Sequence, residues 1–588
     1  MSKLFNKTIV LLMVLLLANT LLFAINNNQR ILDIDSDVYN GIRDLYLSQG
    51  LAQPSSAAPY SDSELYMMLE LLDTSKFSKA DTKVYEYILD SLELDDRNNT
   101  KLGKIEWNPT INVESYNHTN TTDFLTRDNW IYDFQDQEQF LSLDVEAWTG
   151  SFFYGLGNFS IGTTYTTENT FGITNFNSNL LFLYPNKIID LDFNFPYRAF
   201  IAVGDDSWSL QIGRDRVKWG SGVTSNLMIG DNLKYLDELR YTTYSNQFKY
   251  TYLLSFFPYP SNYINSSDYD ATTGLGQGNE VSGTRALIAH RGEGRLFNNK
   301  VGLALNESIM YQSEENVLDL RYLSPTALFH NYYIRANANS LVTLELDYTP
   351  IKNFNIYGQV AVDEFSLPGE PVQGVSSLAN PKALGYLGGV RYHYDVADKY
   401  KGNTSLELAY TDPYLYLRGS GTYNDSTQES DEYGINYVVA FREFAEGTYY
   451  HSEYLGYEYG GDAIVANINS TLVNYGKWNI EANIFYMLHG TFDMFTCWQQ
   501  IEDTDDPSSY TTPTTSNDND SNNSDNVDNS AKDSVSRTLV IGGSVSYDLT
   551  EKINCFVQLD YINIKNYENI SGENTQDLQL VLSLSYSI

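Results

Sequence analysis

A two-residue alternation of apolar and polar side chains begins near residue 105 and constrains the fold more than any other feature. Clear runs, with an apolar side chain at every second position, cover residues 141–147, 189–195, 342–348, 478–486 and 553–561. Successive side chains of a β-strand point to opposite faces, so this period predicts strands with one apolar and one polar face.

The length of these runs separates a membrane barrel from a soluble sandwich, in which strands also alternate. The longer runs cover about nine to eleven residues, the length of a tilted strand that crosses a bilayer. Charged residues recur on the second face, as a water-filled lumen requires. Beyond residues 1–24, no stretch reaches the roughly 18 apolar residues of a spanning helix. We therefore predict an all-β transmembrane antiparallel β-barrel over residues 105–588, located in the outer membrane.

The composition supports a membrane barrel and argues against a nucleic-acid-binding protein. The chain has 48 tyrosines but a mean hydropathy of −0.34, and barrels place tyrosine where lipid meets water. The net charge of −38 argues against binding of nucleic acid, which requires neutralisation of phosphates. The final run, residues 578–588, resembles the recognition signal of outer-membrane barrels, although it ends in Ile588 rather than an aromatic residue. The expected partners are therefore outer-membrane lipids and the barrel assembly machinery.

The N-terminal region has a different organisation. Residues 1–24 contain two lysines, an apolar run and a plausible cleavage site, which together predict a signal peptide. Residues 25–104 predict a small helical domain in the periplasm, because apolar residues recur there at helical spacing. The segment Ser61–Glu64 resembles a capping box, and Gly50 with Pro54 would end an earlier helix.

Two features of the C-terminal region concern loops and thiols. Residues 503–533 are rich in Asp, Asn, Ser and Thr, so they predict a disordered acidic loop outside the cell. Cys497 and Cys555 are the only cysteines. Whether they form a disulfide or stay as two separate thiols is left open by the sequence.

The sequence shows no catalytic constellation. It lacks the nucleophile elbow, the zinc-protease helix motif and the phosphate-binding loop, and its six histidines are scattered. We therefore expect no enzymatic activity, no cofactor and no metal site.

A basic segment interrupts this acidic chain between Ile212 and Gly222. Arg214, Arg216 and Lys218 would lie on one strand face, next to glycines that permit unusual backbone angles. The three side chains could be counter-ions for carboxylates of the lumen or could contact an anion or an acidic sugar. Of these two roles, basic side chains more commonly serve as counter-ions for carboxylates of the lumen.

The same segment carries a resemblance to a known family. The pattern Gly213-Arg214…Trp219-Gly220-x-Gly222 resembles a hallmark of the Wzi-type capsule assembly proteins of the outer membrane. Further similar segments follow in order between residues 190 and 490, namely His290-Arg291, Val301–Ser308 with Glu307, Arg321–Pro325 with Phe329-His330, Tyr357-Gly358-Gln359, Asp363-Glu364-Phe365, Leu455-Gly456 and Gly461-Asp462. Two departures are Ala304, where many members have a second glycine, and the long acidic loop.

The resemblance implies an 18-stranded barrel with a periplasmic helical bundle and a lectin-like role in holding surface polysaccharide. It also supplies the candidate ligand or lumen residues, which are Gly213, Arg214, Arg216, Trp219, Gly220, His290, Arg291, Glu307, Gln359 and Asp363. These residues could equally serve the architecture, because ligand choice usually depends on the variable loops.

Three functional hypotheses follow. The first is a non-enzymatic barrel that binds or organises capsular-type surface polysaccharide, with loop tyrosines such as Tyr414 and Tyr416 as possible sugar platforms. The alternative is a porin or specific channel for small polar solutes, whose lumen charges set its selectivity. A barrel enzyme acting on lipid or glycan has the least support, because no nucleophile and base can be paired.

Overall fold

A computed structural model describes most of the chain. The described residues are 28–92, 103–124, 130–133, 136–163, 175–180, 191–194, 198–257, 283–313, 316–318, 320–325, 329, 338–364, 378–379, 383–417, 435–442, 450–494, 501–502 and 532–588. The predicted signal peptide (1–24), Cys497 and nearly all of the predicted acidic loop (503–533) lie outside them.

In the described part of the N-terminal region, three α-helices and a short strand precede the wall of the barrel. They are α1 (Asp37–Gln49), β1 (Ala57–Ala58), α2 (Asp62–Glu70) and α3 (Lys79–Ser91). The remaining strands are β2 (Lys104–His118), β3 (Leu141–Thr149), β4 (Phe153–Thr163), β5 (Phe176–Ser178), β6 (Leu191–Asn194), β7 (Ala199–Asp205), β8 (Trp208–Asp215), β9 (Lys218–Trp219), β10 (Leu236–Tyr244), β11 (Phe248–Phe257), β12 (Thr284–Leu296), β13 (Val301–Ser313), β14 (Ala338–Ile351), β15 (Phe354–Glu364), β16 (Leu378–Ala379), β17 (Ala383–Val396), β18 (Tyr400–Thr411), β19 (Val438–Arg442), β20 (Tyr450–Tyr454), β21 (Ala463–Asn474), β22 (Trp478–His489), β23 (Ile501–Glu502), β24 (Ser536–Thr550), β25 (Ile553–Lys565) and β26 (Asn574–Ser587).

The wall is a closed antiparallel barrel of 18 strands. Its order is β2-β3-β4-β7-β8-β10-β11-β12-β13-β14-β15-β17-β18-β21-β22-β24-β25-β26, and β26 pairs with β2 from Thr110–Ser587 to His118–Gln579. The short strands β5 and β6 add to β2 and β4. Closure leaves no free sheet edge, and the predicted barrel fold is confirmed. No helix among the described residues combines the length and apolar character needed to cross a bilayer.

The two faces of the wall have the polarity of a membrane barrel. On β14 the outward side chains of Leu344 and Leu346 are 53% and 42% exposed, whereas the inward side chains of Glu345 and Asp347 are only 5% and 7% exposed. A soluble protein would place these two kinds of residue the other way round. The apolar outer band therefore faces lipid, and the polar face lines the lumen.

The helical domain covers the end of the barrel where the strands are joined by short turns. Its own core is built from apolar residues of α1, α2 and α3. The side chain of Ser61 accepts a hydrogen bond from Glu64 N and begins α2, while Gly50, with φ 79°, ends α1. The domain is fixed to the turns by backbone bonds such as Asn353 N to Leu47 O, 2.8 Å.

Candidate functional site: two unlike arcs of the lumen

One arc of the lumen, from β8 to β18, is filled by protein. Residues 216–235, which we call the inner loop, connect β8 to β10 and fold inward. Its backbone is bound by wall side chains, because Gln359 Oε1 accepts from Leu227 N at 2.8 Å and Glu407 accepts from Thr224 N at 2.8 Å. We call this side of the lumen the packed arc.

Segments from both ends of the barrel complete the packed arc. From the helical side, Ser56 O accepts from Gly220 N of the inner loop at 2.7 Å. From the opposite side, Tyr416 OH donates to Leu227 O at 2.7 Å and Tyr437 OH donates to Ser308 O at 3.1 Å. Both tyrosines are fully buried. Tyr416 therefore packs the interior and is not a surface platform for a ligand.

The opposite arc, from β21 through β26 to β4, has a different character. Many of its lumen-facing polar side chains are only half buried, whereas the lumen-facing side chains of the packed arc are buried. These half-buried polar residues include Glu481, Asn483, Ser544, Gln558, Ser583, Ser142, Asp144 and Asn158. We call this arc the vestibule. Since the side chains remain partly accessible, water reaches along this side of the wall.

Strand register joins the vestibule residues into one surface. Asn469 on β21 lies opposite Asn483 on β22, and its amide donates to Glu481 Oε1 at 2.5 Å. On β25 the Gln558 amide donates to Asp560 Oδ2 at 2.8 Å. A methyl group at Gly542 would lie 1.9 Å from Asp560 Oδ1, so the small residue makes room for this carboxylate.

Aromatic rings border the polar surface at the end away from the helices. Tyr132 OH donates to Glu114 Oε1 at 2.9 Å, and its ring centroid lies 5.8 Å from that of Phe556 on β25. Burial and the nearby Glu114 carboxylate raise the pKa of Tyr132, which keeps its hydroxyl protonated and donating. Tyr459 packs on Phe485 with ring centroids 5.0 Å apart. The vestibule thus combines carboxylates, amides, hydroxyls and partly accessible rings.

The residues singled out in the basic segment lie outside the vestibule. The prediction that Arg214, Arg216 and Lys218 share one strand face is wrong, because β8 ends at Asp215 and Lys218 belongs to β9. Each basic side chain is paired with a different carboxylate. Arg214 binds Asp237 through two bonds of 2.8 and 2.9 Å, Arg216 binds Asp35 and Asp33, and Lys218 binds Asp231.

The two glycines of that segment serve close approach of the backbone. Gly213 has φ 138°, and a methyl group there would lie 2.3 Å from Ala199 O. Gly220 has φ 133°, and a methyl group there would lie 2.0 Å from Asn226 Oδ1. A side chain at either position would be strained by the backbone angle as well as by contact. Both residues therefore shape the packed arc.

Four more of the candidate residues build the packed arc. Trp219 is 0% exposed and belongs to its apolar core. Gln359 binds the inner loop, as described above, and Asp363 Oδ2 accepts from Tyr416 N at 2.8 Å. Arg291 forms an ion pair of 2.9 Å with Glu293. All four side chains are buried and committed to protein contacts.

His290 and Glu307 lie on the outer face of the wall. Their side chains are paired at 3.1 Å, and His290 also contacts Pro325 O at 3.1 Å. Residues of the connection after β13, including Tyr322 and Phe329, cover this pair in a small apolar cluster. These two candidates therefore contact neither the lumen nor the vestibule.

The polar residues of the vestibule were visible in the sequence, although none of them was among the candidate site residues. The polar partners in the alternating runs, such as Glu481 and Asn483, were assigned only to a second strand face. Nothing in a single sequence distinguishes an inward polar residue that meets water from one that meets the inner loop. Among the described residues no cluster of three or more metal-binding side chains occurs.

A closed barrel with an apolar outer band, a helical domain at one end and an inner loop defines the protein as a transmembrane barrel of the outer-membrane type. Its fold is similar to that of Wzi from Escherichia coli, described as an outer membrane protein involved in group 1 capsule assembly and a carbohydrate-binding β-barrel. The two share 14% identity with a TM-score of 0.54, and the match covers 94% of this chain and 98% of Wzi. The sequence resemblance to Wzi-type proteins is thereby confirmed at the level of the fold.

Other solved barrels are more distant. The outer membrane channel DcaP of Acinetobacter baumannii has 10% identity and a TM-score of 0.34, over 83% of this chain and 97% of DcaP. A BenF-like porin from Pseudomonas fluorescens Pf-5 has 10% identity and a TM-score of 0.38, over 82% and 99%. No family model matches the sequence, and no curated protein matches it.

Proposed function

We propose that this protein is a non-enzymatic barrel of the outer membrane that binds or organises surface polysaccharide of the capsular type. The observation that carries the proposal is the juxtaposition in the vestibule of accessible rings with carboxylates and amides. The packed arc on the other side obstructs the lumen, which favours a binding role over free diffusion.

The chemistry of the vestibule suits sugars. Hydroxyl groups of a sugar both donate and accept, so they pair well with carboxylates such as Glu481 and amides such as Asn483. The apolar face of a pyranose ring packs on aromatic rings such as Tyr132 and Phe556. A few convergent polar groups beside rings are the usual composition of a small-molecule site.

The structural relative supports the same role. Wzi is described as a carbohydrate-binding barrel, and the shared fold makes a related ligand class the first candidate here. The particular polysaccharide would be selected by residues of this chain, for which the vestibule is our candidate surface.

The absence of enzymatic activity is part of the proposal. The lumen histidine closest to a catalytic arrangement is His118, whose Nδ1 lies 2.8 Å from Asp577. Its side chain is 3% exposed and packs on Trp130, with ring centroids 4.2 Å apart. A histidine covered in this way cannot act on a substrate, so the pair has a structural role.

A channel is the second candidate, and the charge of the vestibule favours it. The partly accessible carboxylates of Glu481, Asp144 and Glu146 line this arc, so a continuous water path would select cations. Planar bilayer recordings separate the two functions. Steady cation-selective conductance, lowered by Glu481→Gln, would support the channel, and silence of correctly folded protein would support the binding role.

The binding role is tested with the full chain in detergent and with polysaccharide extracted from the surface of cells that make it. We expect the wild-type protein to retain the polysaccharide. A Phe556→Ala, Glu481→Gln double variant should bind at least about tenfold less, equivalent to about 1.4 kcal/mol. Gln576→Ala, at an exposed outward position of β26, is the matched control and should bind normally. Folded wild-type protein that retains no polysaccharide would contradict the proposal.

A further inference from the structure

Among the described residues, several arginines inside the barrel pair with a carboxylate, but two at the interface with the helical domain do not. Arg198, Arg240, Arg291 and Arg295 each form an ion pair, with nitrogen–oxygen distances between 2.7 and 3.3 Å. Within the part of the chain that the structure describes, Arg43 of α1 and Arg391 of β17 form none. A buried guanidinium without a counter-charge is costly, so this exception points to a missing partner.

The hydrogen bonds of these two side chains are also incomplete. Arg391 is 3% exposed, and its Nη2 donates to Ser221 O at 3.2 Å, while its Nε and Nη1 have no partner among the described residues. Arg43 Nε has none either. A guanidinium carries five N–H donors and no acceptor. The two groups together therefore offer several unused donors.

The two arginines repel one another across the interface of the helical domain and the wall. Burial, and next the charge of Arg391, lower the pKa of Arg43. The charge of Asp44 offsets only part of this effect, and its carboxylate is also engaged by His393 at 3.0 Å and by Tyr475 OH at 2.6 Å. An anion between the guanidiniums would relieve this repulsion.

A cavity of about 80 Å³ lies beside Arg43 and beside Ser221, the residue to which Arg391 donates. It is lined by Asn40 and Arg43 of α1, Ser55 of the segment after it, and Lys218 and Ser221 of the inner loop. One water molecule needs roughly 10–15 Å³ of such space. The cavity therefore has room for several waters or for one small oxyanion. Its two charged lining residues, Arg43 and Lys218, are both basic, and Lys218 is paired with Asp231.

We propose that Arg43, Arg391 and the Gly220–Gly222 turn form a binding site for a small oxyanion, a phosphate, a sulfate or the carboxylate of an acidic sugar. Planar guanidinium groups bind such anions through paired charge-assisted hydrogen bonds. The bound anion contacts α1, β17 and the inner loop together. It thereby stabilises the docked position of the helical domain, because it binds only when these three parts are assembled.

The test uses the full chain in detergent with inorganic phosphate, sulfate or glucuronate, each against sodium chloride at equal ionic strength. We expect at least one of these anions to raise the unfolding temperature specifically, and the anion with the largest effect identifies the class. Arg43→Gln should weaken its binding at least about tenfold, the lower range for a bond to a charged group. Arg537→Gln, at an exposed outward position of β24, should bind like the wild type.

A second measurement is independent of variant folding. Crystals of the wild-type protein grown with selenate should show an anomalous peak between Arg43 and Ser221. The proposal is overturned if no anion stabilises the protein beyond chloride and no such peak appears. It is also overturned if Arg43→Gln remains folded and binds the anion as tightly as the wild type.

Discussion

Lys249 of β11 and Glu64 of α2 form a buried ion pair, with Nζ 2.7 Å from Oε1, between the barrel wall and the helical domain. Lys249 also donates to Ala57 O at 2.9 Å, and its ammonium lies 4.4 Å from the centroid of the Tyr60 ring. One wall residue thus fixes α2 and the segment before it. The helical domain is therefore held against the end of the barrel by specific polar contacts, in addition to the packing of its own core.

Removing one member of this pair should destabilise the protein strongly. Lys249→Met leaves Glu64 buried without its partner, which costs about 3–5 kcal/mol. The measurement is thermal or denaturant unfolding in detergent, with limited proteolysis to report release of the helices. The double variant Lys249→Met, Glu64→Leu should recover much of the loss. Equal stability of Lys249→Met and the wild type would show that the pair contributes nothing.

A methyl group at Gly220 should loosen the packed arc. Gly220→Ala would have to adopt φ 133° and would contact Asn226 Oδ1 and Gln359 Nε2 at 2.0 and 2.3 Å. Overpacking of this kind costs about 1–3 kcal/mol. Gly292→Ala is the control, because no atom lies within 4 Å of the added methyl group. The two variants are compared by unfolding, and similar stabilities would contradict the assigned role of Gly220.

The docking of the segment before α1 should weaken in acid. Burial opposes ionisation of Asp33, but the charges of Arg198 and Arg216 prevail and lower its pKa from the ordinary value of 3.8. A lowered pKa stabilises the folded state above the ordinary value, and this contribution is lost as the pH falls through the folded pKa.

The wild type should therefore be more stable than Asp33→Asn at pH 6, and the difference should shrink once the pH falls below 3.8. Paired unfolding curves over this pH range provide the measurement. A difference that stays constant with pH, or grows in acid, would show that Asp33 is not held ionised by the two arginines.

A charge on the outer face should be costly in proportion to its depth in the membrane. Leu406→Arg lies in the middle of β18 and should destabilise the barrel in lipid by about 2–4 kcal/mol. Leu549→Arg, beside the turn between β24 and β25, should cost only about 0–1 kcal/mol. Unfolding from lipid vesicles measures both, and equal costs would be inconsistent with the apolar band described for the wall.

The barrel could be predicted from the sequence because the alternation that defines each strand involves only residues that are neighbours in the chain. Each inward–outward alternation, such as that of Leu344, Glu345 and Leu346, is readable without knowing which strand lies beside it. The same holds for the caps of the helices, since Ser61 and Gly50 act on the adjacent turn. Closure follows from the need to satisfy every backbone group in lipid.

The interior could not be predicted, because it depends on contacts between distant segments. In the sequence, Trp219 and His290 were both candidates on the basis of the same family resemblance. In the structure, Trp219 lies in the core of the packed arc, whereas His290 lies on the outer face of the wall. The inward path of residues 216–235 is decided by partners such as Gln359 and Glu407, more than a hundred residues away. The division into a packed arc and a vestibule follows from that path.

The central claim is that the wall separates lipid on its outer face from a water-accessible vestibule on its inner face. Collision of paramagnetic reagents with spin labels on β22 tests this claim most directly. Single cysteines at positions 480, 481, 483 and 484, in a background where Cys497 and Cys555 are serine, would carry nitroxide labels in lipid vesicles. We predict that oxygen relaxes the labels at 480 and 484 and that a water-soluble nickel chelate relaxes those at 481 and 483. Equal access of the nickel chelate to all four positions, or its exclusion from 481 and 483, would contradict the account.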